Sequence, residues 1–267
     1  MTHPRAVVQG IQLNNIRKGE LAAFWIPCME SVKRWAEEND WDYHCFHSAL
    51  DNWDTEDLLS IEHRKDKITR NGQFYKWQWV NSVCDQYDEI LWLDADIYVW
   101  GNPVLPLTDK RKIDNNIFKC MNTSQVVVWM RPNLSIFWSS SKTIRELHDW
   151  NLRMLNNPSE RGEIYSCLLT LVRHGFTKEF MTDFTEEVAL IDWVENNQDR
   201  VYVYPYERPN DLSIKCDWAY NGEAIFEACT PYSFLHFTGS YKQRMFQKFK
   251  AYKAYETQLS KGLKNVN

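Results

Sequence analysis

The chain is expected to fold as a single α/β domain, with a mostly parallel, doubly wound central sheet flanked by helices. Three observations lead there. Apolar, strand-type runs alternate with helical patterns along the chain, the spacing that builds parallel βαβ units. One strand-type run, Ile90 to Leu93, ends directly in two carboxylates, Asp94 and Asp96, and ligands of open α/β sheets collect at the carboxyl ends of strands. A length of 267 residues suffices for one such core.

Ala6 to Leu13 reads as the first strand and Glu20 to Glu38 as an amphipathic helix. Trp41 to His47 is the second strand, and the acidic stretch Asp51 to Asp57 makes a loop or short helix. A helix over Phe74 to Tyr87 leads into the Asp-x-Asp strand, and Gly101-Asn102-Pro103 breaks the chain after it. Further on come a strand over Gln125 to Met130, helices over Ser141 to Leu155 and Gly162 to His174, and a strand over Val201 to Tyr204, stopped by Pro205. The chain shows no internal repeat, low-complexity tract or linker. The division expected is a catalytic domain over 1–241, with a basic, aromatic C-terminal helix over 242–267 packed on it.

Glu89 to Val99 carries the strongest functional signal. On an extended backbone alternate residues face one side, about 6.5–7 Å apart, so Asp94 and Asp96 are expected to face one point, with small Ala95 leaving room for a ligand. Paired carboxylates at the end of a buried strand are costly unless their charge is compensated, and a hard cation bound through oxygen does that. The plain alternative is a strand end that meets solvent. Ser233 to Lys242 reads Ser-Phe-Leu-His-Phe-Thr-Gly-Ser-Tyr-Lys. Imidazole can complete a shell begun by two carboxylates, favouring manganese over magnesium. Gly239 lets backbone amides approach a phosphate, and Lys242 supplies a point charge. A core histidine beside a turn glycine is the alternative for this segment alone. Taken together, the two segments are better explained by a metal–diphosphate site.

With Asp-x-Asp at a strand end and His-Phe-x-Gly-x-x-Lys near the C-terminus, the chain resembles glycosyltransferase family 8, the family of glycogenin and the lipopolysaccharide galactosyltransferases. The resemblance implies the GT-A fold, a nucleotide-sugar donor (usually a UDP-hexose), manganese with magnesium as the alternative, and transfer with retention of anomeric configuration. It implies metal binding by Asp94, Asp96 and His236, with Asp94 also near the donor ribose, and diphosphate contacts from Gly239 and Lys242. Lys76, in the helix before the motif strand, corresponds to a basic residue that reaches the donor; a solvated lysine is the alternative. Glu186 and Glu187 match by position an Asp-Gln pair beside the sugar's reactive carbon, although Asp183 with Glu186 also forms a capping box. The family's Asn-Ser-Gly run has only Asn122-Thr-Ser-Gln125 as its counterpart. Its Pro-Trp after the lysine is replaced by Gln243-Arg244, so the chain resembles a divergent relative of the family.

Composition narrows the function classes. A net charge of −5 excludes a general nucleic-acid binder. Seven cysteines without a Cys-x-x-Cys pair read as reduced cytosolic thiols, not a disulfide framework or zinc site. No apolar run approaches the ~18 residues of a membrane span, and the N-terminus lacks a signal-peptide core. A cytoplasmic enzyme is expected, with a saccharide, lipid-linked or protein acceptor. From Lys242 onward seven basic residues face one acidic residue, Glu256. Met245, Phe246, Phe249, Tyr252, Tyr255 and Leu259 fall on one helical stripe, which either docks on the domain or meets an anionic membrane peripherally. Two rival functions stay open: a haloacid-dehalogenase-like phosphatase with the first Asp as nucleophile, and a non-catalytic nucleotide-sugar-binding protein.

Overall fold

A computed structural model describes residues 4–12, 16, 18–48, 75–103, 118–122, 132–156, 190, 193–194, 196–204, 217–218, 233–237 and 242–264. The elements in chain order are β1 (Arg5–Gln12), a helical turn with a π-helical continuation (Leu21–Trp25), α1 (Ile26–Glu38), β2 (Asp42–Ser48), α2 (Tyr75–Val83), β3 (Glu89–Leu93) and β4 (Ile97–Trp100). They continue with β5 (Phe118–Asn122), β6 (Pro132–Ser140), α3 (Ser141–Asn156), β7 (Val201–Tyr204), β8 (Asp217–Trp218), β9 (Ser233–His236) and α4 (Lys242–Lys264). The fold is mixed α/β, and the described residues gather into two compact units.

The first unit is built on a six-stranded sheet, ordered β2-β1-β3-β6-β5-β7. β2, β1 and β3 are parallel, β6 runs antiparallel to both β3 and β5, and β5 is parallel to β7. Five of the six strands therefore share one direction, the mostly parallel arrangement expected. All five residues of β3 are buried, as strands covered on both faces must be. Trp77, Trp79, Val80 and Val83 of α2 pack with Val8, Ile90, Trp92 and Phe137 of the sheet and with Ile144 and Leu147 of α3. A Cβ on Gly10 would run into the Trp79 indole, so only glycine admits that ring. α3 starts where Ser140 Oγ accepts the Thr143 N–H at 3.3 Å, a side-chain cap for an orphan donor.

The second unit carries α1, β4, β8, β9 and α4, with β4 antiparallel and β8 parallel to β9. Ser31 joins α1 to the small sheet by accepting the Val99 N–H at 2.8 Å and donating to the Cys28 carbonyl at 2.6 Å. Phe24, Cys28, Trp100, Leu235, Phe237, Met245, Phe246 and Phe249 form its core. The apolar stripe of α4 is thus buried at Met245, Phe246 and Phe249, while Tyr255 is exposed.

Several expectations shift. The helix expected over Glu20 to Glu38 opens into a π turn, with the Ile26 N–H reaching back to the Leu21 carbonyl. Pro27 is the cause: it has no N–H, and its ring crowds the carbonyl four residues back. The helix expected to reach Tyr87 ends at Val83 and turns. The backbone expected to stay extended through Asp94 and Asp96 instead turns between two strands, closed by the Ile97 N–H on the Asp94 carbonyl at 3.0 Å. The expectations for 51–57, 125–130 and 162–174 lie outside the described residues. β6, at Pro132–Ser140, is a strand that the sequence pattern does not predict. No described helix is long and apolar enough to cross a membrane.

Candidate metal and diphosphate site

The site lies within the second unit and grows from one register. Ile97 pairs with His236 across the antiparallel β4–β9 ladder, and the Phe237 N–H donates to the Asp96 carbonyl at 3.1 Å. The last residue of β9 is therefore set beside the residue preceding β4. His236 Nε2 lies 3.2 Å from Asp96 Oδ1. Lys242, the first residue of α4, donates from Nζ to Asp96 Oδ2 at 3.1 Å. Asp94 completes the group: one ligand atom each from Asp94, Asp96 and His236 lie within 4.8 Å of one another. Donors on opposite sides of one hard cation, each about 2.0–2.6 Å from it, stand roughly 4–5 Å apart, so the donor set fits a single ion.

The convergence predicted for Asp94 and Asp96 is present, but strand alternation does not produce it. The Asp94–Ile97 turn brings the two carboxylates together. Asp96 is only 9% exposed, and burial alone would push its carboxyl up. The imidazole of His236 and the ammonium of Lys242 outweigh that and hold it well below the usual carboxylate range. A buried carboxylate already deprotonated and paired is prepared to ligate a cation. Cys28, fully buried in α1, keeps its thiol proton: burial pushes it well up, Asp96 adds to that, and Lys242 only partly opposes it.

Of the site residues expected from sequence, Asp94, Asp96, His236 and Lys242 stand together. Gly239, Glu186 and Glu187 lie outside the described residues. Lys76 belongs to the first unit and is not the solvated lysine of the simpler alternative. It is 5% exposed, with its ammonium 5.6 Å from the centre of the Trp92 ring. One neighbour escaped the sequence: Trp25, the last residue of the π turn, lies under Lys242 with 4.3 Å from ammonium to ring centre. In sequence it passes as one more apolar residue of a helix. Pro27 two residues on was the local sign that the backbone there is irregular.

No protein-family model matches the chain, and no curated protein does. Among solved structures, a glycosyltransferase involved in the glycosylation of the major capsid of PBCV-1 aligns with 93% of this chain and 99% of its own, at 13% identity and a TM-score of 0.55. The galactosyltransferase LgtC, in complex with donor and acceptor sugar analogs, aligns with 92% of this chain and 95% of its own, at 11% identity and a TM-score of 0.48. The first likeness establishes the fold: this chain has the architecture of a glycosyltransferase, in line with the divergent GT-A resemblance seen in its sequence.

Proposed function

We propose that the protein is a metal-dependent glycosyltransferase, transferring a hexose from a UDP-sugar to an acceptor with retention. The observation that carries this reading is the meeting of two carboxylates, an imidazole and an ammonium on one point, in a chain with a glycosyltransferase fold. That fold favours a transferase over the phosphatase alternative.

Asp94, Asp96 and His236 would hold the cation, with manganese preferred over magnesium because nitrogen enters the shell. A bound divalent cation would neutralise charge developing on the departing diphosphate. Lys242 would add a point charge to the same phosphates, and the backbone at Gly239 would let them approach. Lys76 is proposed as a donor contact, and Glu186 and Glu187 as groups facing the sugar's reactive carbon. In this scheme the bond from anomeric carbon to diphosphate oxygen breaks while the acceptor oxygen bonds on the same face. The departing phosphate takes the acceptor's proton, so no opposite-face carboxylate base is required. The acceptor is a saccharide, or a lipid-linked or protein-borne one, met in the cytoplasm. The basic face of α4 would bring the enzyme to an anionic surface where the acceptor is membrane-bound.

Turnover of a panel of nucleotide sugars, with manganese and with chelator, tests the proposal. Release of UDP from one UDP-hexose, dependent on manganese and lost in Asp96→Asn, is expected. An α-linked product from an α-linked donor, read from the anomeric proton's coupling constant, is expected as well. A β-linked product would exclude retention, and manganese-independent turnover would exclude the metal's role.

A further inference from the structure

Among the described residues Lys242 meets Asp96 of the cation site and the ring of Trp25, which is not a cation ligand. Its ammonium donates to Asp96 Oδ2 at 3.1 Å and lies over the Trp25 ring at 4.3 Å from its centre, well inside the ~6 Å reach of a cation–π contact, for which tryptophan is the best aromatic partner. The side chain is 29% exposed, and an untethered lysine has a large rotamer freedom to lose on being held in place. A dication on Asp96 would take over the carboxylate charge that attracts the ammonium and would repel it. The Trp25 face is then the contact that keeps the ammonium at the site.

Trp25 is itself held in place. Phe24 meets it edge-on, 5.1 Å between ring centres. Phe24 in turn packs on Phe237 and Phe246, at 6.0 and 5.4 Å; Phe237 follows His236 in sequence, and Phe246 lies four residues after Lys242. Trp25 closes the π-helical segment Leu21–Trp25, and such π segments recur at functional sites.

We propose that Trp25 is a positioning residue of the diphosphate site: its indole face retains the Lys242 ammonium beside the cation ligands, so that the lysine remains available to a metal-bound nucleotide diphosphate. This inference rests on the metal–diphosphate reading above and adds to it a residue that acts through Lys242.

Calorimetric titration of UDP in saturating manganese, carried out on the whole protein, tests it as a double-mutant cycle. Trp25→Met keeps a flexible apolar side chain but removes the π face, and should weaken UDP binding about three- to tenfold. Trp25→Phe should restore most of the loss. In a Lys242→Met background, the further change Trp25→Met should cost nothing more, because the ammonium it retains is gone. Should Trp25→Met not fold, Trp25→Phe alone decides, with a smaller loss expected that also vanishes in the Lys242→Met background. An equal loss in both backgrounds, or no loss in the first, overturns the role of Trp25 while leaving the diphosphate site intact. No UDP binding by the unaltered protein in manganese overturns the underlying reading, and this inference with it.

Discussion

Two regions of the molecule place a lysine over a tryptophan, and they differ in what surrounds the pair. In the first unit Lys76 lies over Trp92, inside a wall of nearly parallel rings: Trp77–Phe137, Trp79–Trp92 and Trp92–Phe137 are stacked with interplanar angles of 15–19°. In the second unit Lys242 lies over Trp25 beside a buried carboxylate. There the core rings meet edge to face, Phe24 on Phe237 at 79° and Phe237 on Phe246 at 78°. Stacked rings suit the flat interface between a sheet and the helices on it. In the second unit the edge-to-face rings include Phe237, whose backbone N–H donates to the Asp96 carbonyl. A lysine on a tryptophan does not by itself make a ligand site; a carboxylate that shares the lysine, with further donors within reach, does.

The largest expected effects fall on the two cores. Trp92→Ala and Phe246→Ala should each lose about 3–5 kcal/mol, seen as lowered denaturant midpoints. If Phe246→Ala were nearly neutral, α4 would not be part of the second core, and the contrast between stacked and edge-to-face cores would fail. Gly10→Ala should cost about 1–3 kcal/mol through overpacking against Trp79, again by denaturant titration. An unchanged midpoint would mean that the aromatic wall yields, and that its stacking is not rigid.

Next in size is an acid-dependent effect at the site. Asp96 has a depressed folded-state pKa, so its contribution to stability is fully present above the unfolded carboxylate value, ~3.9. That contribution is lost as pH falls toward the folded value. Asp96→Asn should therefore be less stable than the parent at neutral pH, with the difference shrinking below about pH 4. Stability curves of the two proteins from pH 7 to 2 check this. A constant offset would show that Asp96 is not held as a paired anion.

The smallest effect concerns the half-exposed pair of Glu146 with Arg200 in the first unit, 2.7 Å apart. The Arg200 bond leads in holding the Glu146 carboxyl below its ordinary value, against partial burial. Because such pairs are screened by solvent and salt, Glu146→Gln should cost only about 0–1 kcal/mol, less in high salt. A loss as large as that at Asp96 would erase the distinction between a surface pair and a buried one.

How much of this was legible in the sequence depends on what each feature rests upon. β3, β7 and α3 follow from local pattern: a continuous apolar run, a β-branched and aromatic run, and a helical period after a serine cap. β6 was hidden because Pro132, Asn133 and Ser135 read as turn residues; it is a strand through its pairing with β3 and β5, which no local signal carries. At the site, residue chemistry singles out Asp94, Asp96, His236 and Lys242, but the sequence pattern implies an extended backbone between the carboxylates where a turn exists. The β4–β9 register that sets His236 beside Asp96 spans well over a hundred residues of chain. Trp25 was illegible for a different reason: its role depends on the direction of a π turn and on Lys242, far away in sequence.

In the proposed site Asp94, Asp96 and His236 hold a divalent cation that takes up a nucleotide diphosphate together with Lys242. Thermal melts with manganese alone, UDP alone and the two combined test it most directly. Each ligand stabilises the fold as it saturates, by about 2.7 kcal/mol at a hundredfold excess over its dissociation constant. The account predicts that manganese and UDP together raise the melting temperature by more than the sum of their separate shifts, and that Asp96→Asn abolishes the synergy. Strictly additive shifts, or synergy undiminished in Asp96→Asn, would contradict it.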